Sequence, residues 1–246
     1  TDKQIALLQT FADLAVIAIG NVRLFEQVQE RTRELSESLQ FQTASSEVLK
    51  VISSSPDALQ PVLDAIAHTS QELCGSDNAT IVLFRDGKAQ FAAVAGASPA
   101  HYEYLRSNPA SIDEPGSLFD RMIRQKRTLH FPNVMDDPEI SQKRRTAMGG
   151  PRALLVTPLL RDGEPLGAIV LRQTHLKPFT PRQVQAIEVF ADQAVIAISN
   201  VELFEQVQQR TRELSESLEQ QTATSEVLSV ISRSAGDLAP VFDTML

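Results

Sequence analysis

Cysteine is almost missing from this chain of 246 residues. Cys74 stands alone, which excludes an intramolecular disulfide framework and any multi-cysteine metal site. The four histidines, His68, His101, His130 and His175, lie far apart with no metal-ligand spacing. No apolar run approaches the ~18 residues needed to cross a bilayer. The longest candidates, Ala153–Leu160 and Ala194–Ile198, are short and broken by Thr157, Pro158 and Ser199. No secretory pattern precedes the first helical pattern, so the expected compartment is the cytoplasm. Positive charge is also in deficit. A formal net charge of −8 argues against generic nucleic-acid binding. Neither a G-x-x-x-x-G-K-[ST] phosphate loop nor a G-x-S-x-G nucleophile turn occurs, and Gly149-Gly150-Pro151 is a turn, too little for a phosphate loop. What remains is a chain with 42% apolar residues, enough for one or two domains with a sizeable core.

The strongest positive signal is an internal repeat. Asn21–Ile52 and Asn200–Ile231 align without gaps and agree at 26 of 32 positions, an offset of 179 residues. The same offset relates Phe11-Ala12-Asp13 to Phe190-Ala191-Asp192, and Pro61-Val62 to Pro240-Val241. A period this long is not a solenoid, so each unit should carry its own core. The chain therefore reads as a window on a tandem array. Residues 1–54 are the terminal helix of a preceding unit plus a linker coiled coil, and 55–200 are one complete unit. Residues 201–233 are a second linker coiled coil, and 234–246 begin the next unit.

The repeated segment predicts a long helix. Thr180-Pro181-Arg182-Gln183 offers a capping threonine, proline at the first helical position and glutamine three residues after the cap. No glycine or proline interrupts Pro181–Ala235, and Gly20 alone interrupts Asp2–Ser55. The first part is apolar on two sides. Val184, Ile187, Phe190, Ala194, Ile198 and Val201 form one stripe, and Val189, Val195, Ile196 and Leu203 a second. Such a helix is buried between two things, its own sheet and a second copy of itself. Beyond it, Phe204, Val207, Thr211, Leu214, Leu218, Gln221, Ser225 and Leu228 alternate spacings of three and four, the left-handed coiled-coil period. Phe25, Val28, Thr32, Leu35, Leu39, Gln42, Ser46 and Leu49 repeat that seam. Its Thr, Gln and Ser weaken it, either as ordinary imperfections or as marginality suited to a seam that switches register. The expected partner is a second chain in a parallel homodimer.

Between the two long helices the periodicity changes. Ala58–Cys74 has helical spacing, and Ala79–Phe84 and Ala89–Ala95 are strands joined by an Asp86-Gly87 hairpin turn. His101–Ser107 and Ser117–Lys126 read as short helices, and Leu129–Phe131 as a short strand. Asp136–Met148 is polar, with a short helix after Pro138. Ala153–Leu160 and Pro165–Arg172 are strands joined by Asp162-Gly163. The expected class is α+β, an antiparallel sheet of five or six strands with helices packed mainly on one face.

Three phrases carry a family resemblance. They are Glu72-Leu73-Cys74-Gly75-Ser76-Asp77-Asn78-Ala79, the hairpin Leu159–Ile169, and Pro178-Phe179-Thr180 followed by Phe190-Ala191-Asp192-Gln193-Ala194. With these, residues 55–200 resemble a GAF domain, and the Arg-Thr-Arg-Glu-Leu-Ser-Glu-Ser-Leu linker resembles those between tandem GAF domains of bacterial sensor proteins. The resemblance implies small-molecule sensing or dimerisation upstream of a histidine kinase or nucleotide cyclase. It implies no particular ligand or cofactor. The rival reading is a structural spacer whose pocket is filled by side chains.

The family's pocket lies between the sheet and the segment that follows the third predicted strand, here Pro132–Arg152. Residues 121–161 carry a net charge of +6 and the rest of the chain −14. Arg144, Arg145 and Arg152 are thus candidates to face an anionic ligand, against the alternative of a solvated basic stretch. His130 on its strand either lines the pocket or is a satisfied core residue. Cys74 is expected as a buried structural residue, since it is not where chromophore-binding relatives carry theirs. The asparagine-lysine-phenylalanine-aspartate-glutamate signature of cyclic-nucleotide-binding members is absent.

Overall fold

A computed structural model describes residues 2–54, 58–107, 109–115, 117–140 and 152–233. Its elements are α1 (Asp2–Ser54), α2 (Leu59–Cys74), β1 (Asn78–Arg85), β2 (Lys88–Ala95), α3 (Pro99–Ser107), β3 (Ala110–Ser111), α4 (Leu118–Gln125), β4 (Leu129–Phe131), β5 (Ala153–Arg161), β6 (Glu164–Gln173) and α5 (Pro181–Arg233). A 3-10 turn, Val134–Asp136, follows β4.

The strands form one antiparallel sheet in the order β3-β2-β1-β6-β5-β4. Both aspartate-glycine hairpins turn where the sequence places them. Asp86 and Gly87 have φ of 51° and 70°, and Asp162 and Gly163 of 53° and 79°. Two successive positive φ values give a turn whose twist matches that of the flanking strands. The central strands β1, β5 and β6 are buried on both faces, which is why they read as nearly continuous apolar runs. Gly167 lets β1 approach, because a Cβ there would sit 2.1 Å from the Val82 carbonyl oxygen. The edge pair β3 escapes the sequence reading because two residues carry no periodicity.

One face of the sheet is covered by helices. Ala79, Ile81, Leu155, Leu159, Ile169 and Leu171 meet Val62, Leu63 and Ile66 of α2 and Ile187, Phe190 and Ala194 of α5. The start of α5 is fixed by a reciprocal cap. The Gln183 backbone N–H donates to Thr180 Oγ1 at 3.3 Å, and the Thr180 N–H donates to Gln183 Oε1 at 2.9 Å. The opposite, distal face carries a second cluster of Val82, Met122, Phe131, Val134, Leu154 and Val156, with Phe84 and Phe119 edge-to-face beside it.

Helices α1 and α5 each run 53 residues, about 80 Å at 1.5 Å per residue, and α1 continues unbroken through Gly20. The last third of α1 joins the core. Val48 is fully buried, Phe41 stacks on Phe190 at 6.3 Å, and Ala44, Val51 and Ile52 pack alongside. Arg182 bridges Glu37 at 3.0 Å and Glu34 at 3.6 Å, and Gln193 Nε2 donates to Ser45 Oγ at 3.0 Å. These pairs advance in the same direction along both helices, so α1 and α5 run parallel. The free part of α1 and the free part of α5 therefore leave the domain at opposite ends.

Candidate functional site

Two regions qualify: the distal face and the projecting helices. On the distal face the register sets the neighbours. Asn78 pairs with Arg172, Arg172 with Leu154, and Leu154 with Phe131. Paired residues in antiparallel strands share a face, so this is one row across four strands. The next row is Thr80, Val170, Val156 and Leu129. Thr80 Oγ1 donates to Asn78 Oδ1 at 2.8 Å. The Asn78 Nδ2 amide is buried with no partner. Arg172 is half-buried, its guanidinium made less favourable by desolvation, and among the described residues no carboxylate pairs with it.

Arg121 shows the opposite condition on the same face. Its guanidinium lies 2.9 Å from Asp137, 3.3 Å from Glu139, and 5.1 Å from the centre of the Phe131 ring. Its charge is spent on the protein itself.

The residues singled out from sequence separate. His130 lies between Leu129 and Phe131, and strand alternation turns it to the helix side. There its Nε2 accepts the Phe179 backbone N–H at 3.2 Å, its ring sits edge-on to Phe179, and burial holds its pKa below the ordinary value. Arg152 is exposed, and its backbone bonds Val134 and Gln173. The structure does not bring the two together. Lys143, Arg144, Arg145 and Gly149-Gly150-Pro151 lie outside the described residues. Arg172 and Asn78 were missed, although a signal existed: both are polar residues in phase with the buried positions of strands that are apolar on both faces.

Cys74 is buried at the end of α2, and burial pushes its thiol up to about 12, so it is an inert core residue at neutral pH. Among the described residues no cluster of three or more His, Cys, Asp or Glu could hold a metal ion. No described helix is long and apolar enough to cross a membrane.

On the helices, the two-sided apolar stretch of α5 divides unequally. Ile187, Phe190, Ala194 and Ile198, expected on the dimer helix, are buried against the chain's own sheet, and Val184 packs at its edge. The intramolecular core takes them because α5 lies directly across β5 and β6. What stays exposed is Ile196, Leu203 and the seam. Val201 is half-buried, and Phe204, Val207, Leu214 and Leu218 are 38% to 63% exposed. The seam threonines satisfy themselves within the helix: Thr211 Oγ1 donates to the Val207 carbonyl at 2.8 Å, and Thr32 Oγ1 to that of Val28 at 2.8 Å. Ser46 does the same to Gln42.

Comparison with known proteins follows the fold. Residues 58–198 match the GAF domain family. No curated protein matches the chain in sequence. Among solved structures, it is similar to the GAF domain of a phosphoenolpyruvate-protein phosphotransferase from Coxiella burnetii, at 15% identity and a TM-score of 0.58, covering 68% of this chain and 97% of that one. It is similar to a GAF domain/HD domain protein from Geobacter sulfurreducens, at 16% identity and a TM-score of 0.55, covering 61% and 97%. A third is residues 122 to 287 of a methyl-accepting chemotaxis protein, at 20% identity and a TM-score of 0.53, covering 65% and 98%. With a family match across more than half its length and this sheet order, the chain belongs to the GAF domain family.

Proposed function

We propose that this chain is a regulatory rather than catalytic module of a signalling protein. A small molecule bound over the distal face is its input, and the long helices are its output. Two copies pair in parallel through the seams of α1 and α5, next to further GAF units, and drive a histidine kinase or nucleotide cyclase domain. The observation that carries this reading is the helix geometry. α1 and α5 are parallel, tied to each other and to the core by Phe41–Phe190 and by Arg182 with Glu34 and Glu37. They then project from opposite ends with exposed apolar seams. A helix clamped at the domain and unbroken beyond it transmits rotation or a change of register, which a glycine-serine linker does not.

Sedimentation equilibrium tests the pairing. A dimer is expected at tens of micromolar, and a monomer there contradicts it. The spacer reading keeps the dimer but has no ligand, so a ligand screen separates the two.

A further inference from the structure

Among the described residues, the distal face holds one arginine with its acids and one without. Arg121 is neutralised by Asp137 and Glu139. Arg172 has no carboxylate partner among the described residues, although it is half-buried and flanked in its row by Leu154. A guanidinium stays protonated at all working pH values and offers five N–H donors and no acceptor. Charges are ordinarily taken out of water only when something pairs with them. Beside Arg172, on β1, Asn78 is only 8% exposed. Thr80 occupies its carbonyl oxygen, which directs the amide NH2 away from Thr80 and leaves Nδ2 unsatisfied. Two neighbouring side chains thus supply donors only, at the edge of the buried apolar cluster that includes Val170, Leu154, Phe131 and Val156.

We infer that Arg172 and Asn78 form the anion-binding end of a ligand site on the distal face, for a small molecule with a carboxylate or phosphate at one end and an apolar body. This rests on the distal-face reading above and adds the ligand's chemical class and the residues that select it. The fork of Arg172 matches two oxygens of either group, and the Asn78 amide supplies a further donor to the same group. Val170 and Leu154 adjoin them in the sheet, within the second apolar cluster, on the side where the apolar body would lie. The basic residues of 121–161, where sequence composition places the excess positive charge, are not required.

The test uses three probes with one ring and different ends: benzoate, phenyl phosphate and benzamide. Thermal unfolding of the whole chain is followed at constant ionic strength. Benzoate or phenyl phosphate is expected to raise Tm saturably, by about 3 °C at ten times Kd, and the larger shift identifies the preferred anion. Benzamide is expected to do little. Arg172→Met should abolish the anion-dependent shift. Asn78→Asp places a carboxylate beside Arg172, so it should raise Tm without ligand and block the anions. If benzamide stabilises as much as benzoate and Arg172→Met keeps the shift, the anion assignment fails while distal-face binding survives. If no probe moves the wild type, both fail.

Discussion

Residues 21–52 of α1 and 200–231 of α5 are nearly the same sequence, yet their surroundings differ. Val48 is fully buried beneath α2 and the sheet, whereas Val227, its equivalent 179 residues later, is only half-buried. Further toward the N-terminus the contrast reverses. Ile198 is 6% exposed and its equivalent Ile19 is 63% exposed. Each copy of the pattern is thus buried at a different place, α1 near its C-terminal end and α5 near its N-terminal end. In the proposed array, a preceding unit lies on the start of α1 and a following unit on the end of α5. The middle stretch differs from both. Leu35 and Leu39 in α1, and Leu214 and Leu218 in α5, are exposed in either copy. In the dimer proposed above, a second chain covers them.

The largest expected effect falls on that middle stretch. Leu214→Glu with Leu218→Glu places four carboxylates in the seam of a dimer. Dissociation should rise at least about a hundredfold, read by sedimentation, while the domain's own unfolding is unchanged.

The next sharpens the contrast between copies. Val48→Ala removes buried methyl groups and should cost about 2 kcal/mol in urea unfolding. Val227→Ala, the same change in the same local sequence, should cost less than about 0.5 kcal/mol. Equal costs would mean that the two copies share one environment.

A smaller effect is expected at the polar seam positions. Gln221→Leu with Ser225→Leu should raise dimer Tm by several degrees and hold the parent's output in one state. Four residues inserted after Leu218 should shift seam phase and alter output instead. If both variants stay dimeric and regulate like the wild type, the helix is a passive spacer.

The smallest effect is a pH dependence. The His130 pKa is lowered by burial, and its Nε2 is an acceptor. Protonation is thus easier in the unfolded chain. Stability from this group is present above the unfolded pKa of about 6.5 and is lost as pH falls through the lower folded value. His130→Gln should flatten the unfolding free energy between pH 7 and pH 5, measured in urea.

What was legible in the sequence was local. The Thr180–Gln183 cap, both aspartate-glycine turns and the unbroken helix from Pro181 are set by residues within a few positions of one another, and all are where the sequence puts them. What was not legible depended on which face a residue takes. His130 sits in a three-residue strand with apolar neighbours on both sides, so its direction is decided only by pairing with Leu155. Arg172 closes an apolar run, and its isolation from acids is a fact of cross-strand neighbours. Ile187, Phe190, Ala194 and Ile198 have a helical period that gives an angle but not the partner at that angle. The sheet took them, and the seam beyond was left.

Disulfide trapping at Leu214 tests the pairing of helices most directly. Cys74 is buried with its thiol pushed up to about 12, so Leu214→Cys supplies the reactive thiol under mild oxidation. A parallel, in-register dimer puts the two introduced thiols opposite each other. Rapid and nearly complete covalent dimer is expected, and Leu228→Cys should give the same result two heptads further on. A chain that sediments as a monomer and stays uncrosslinked at both positions contradicts the account.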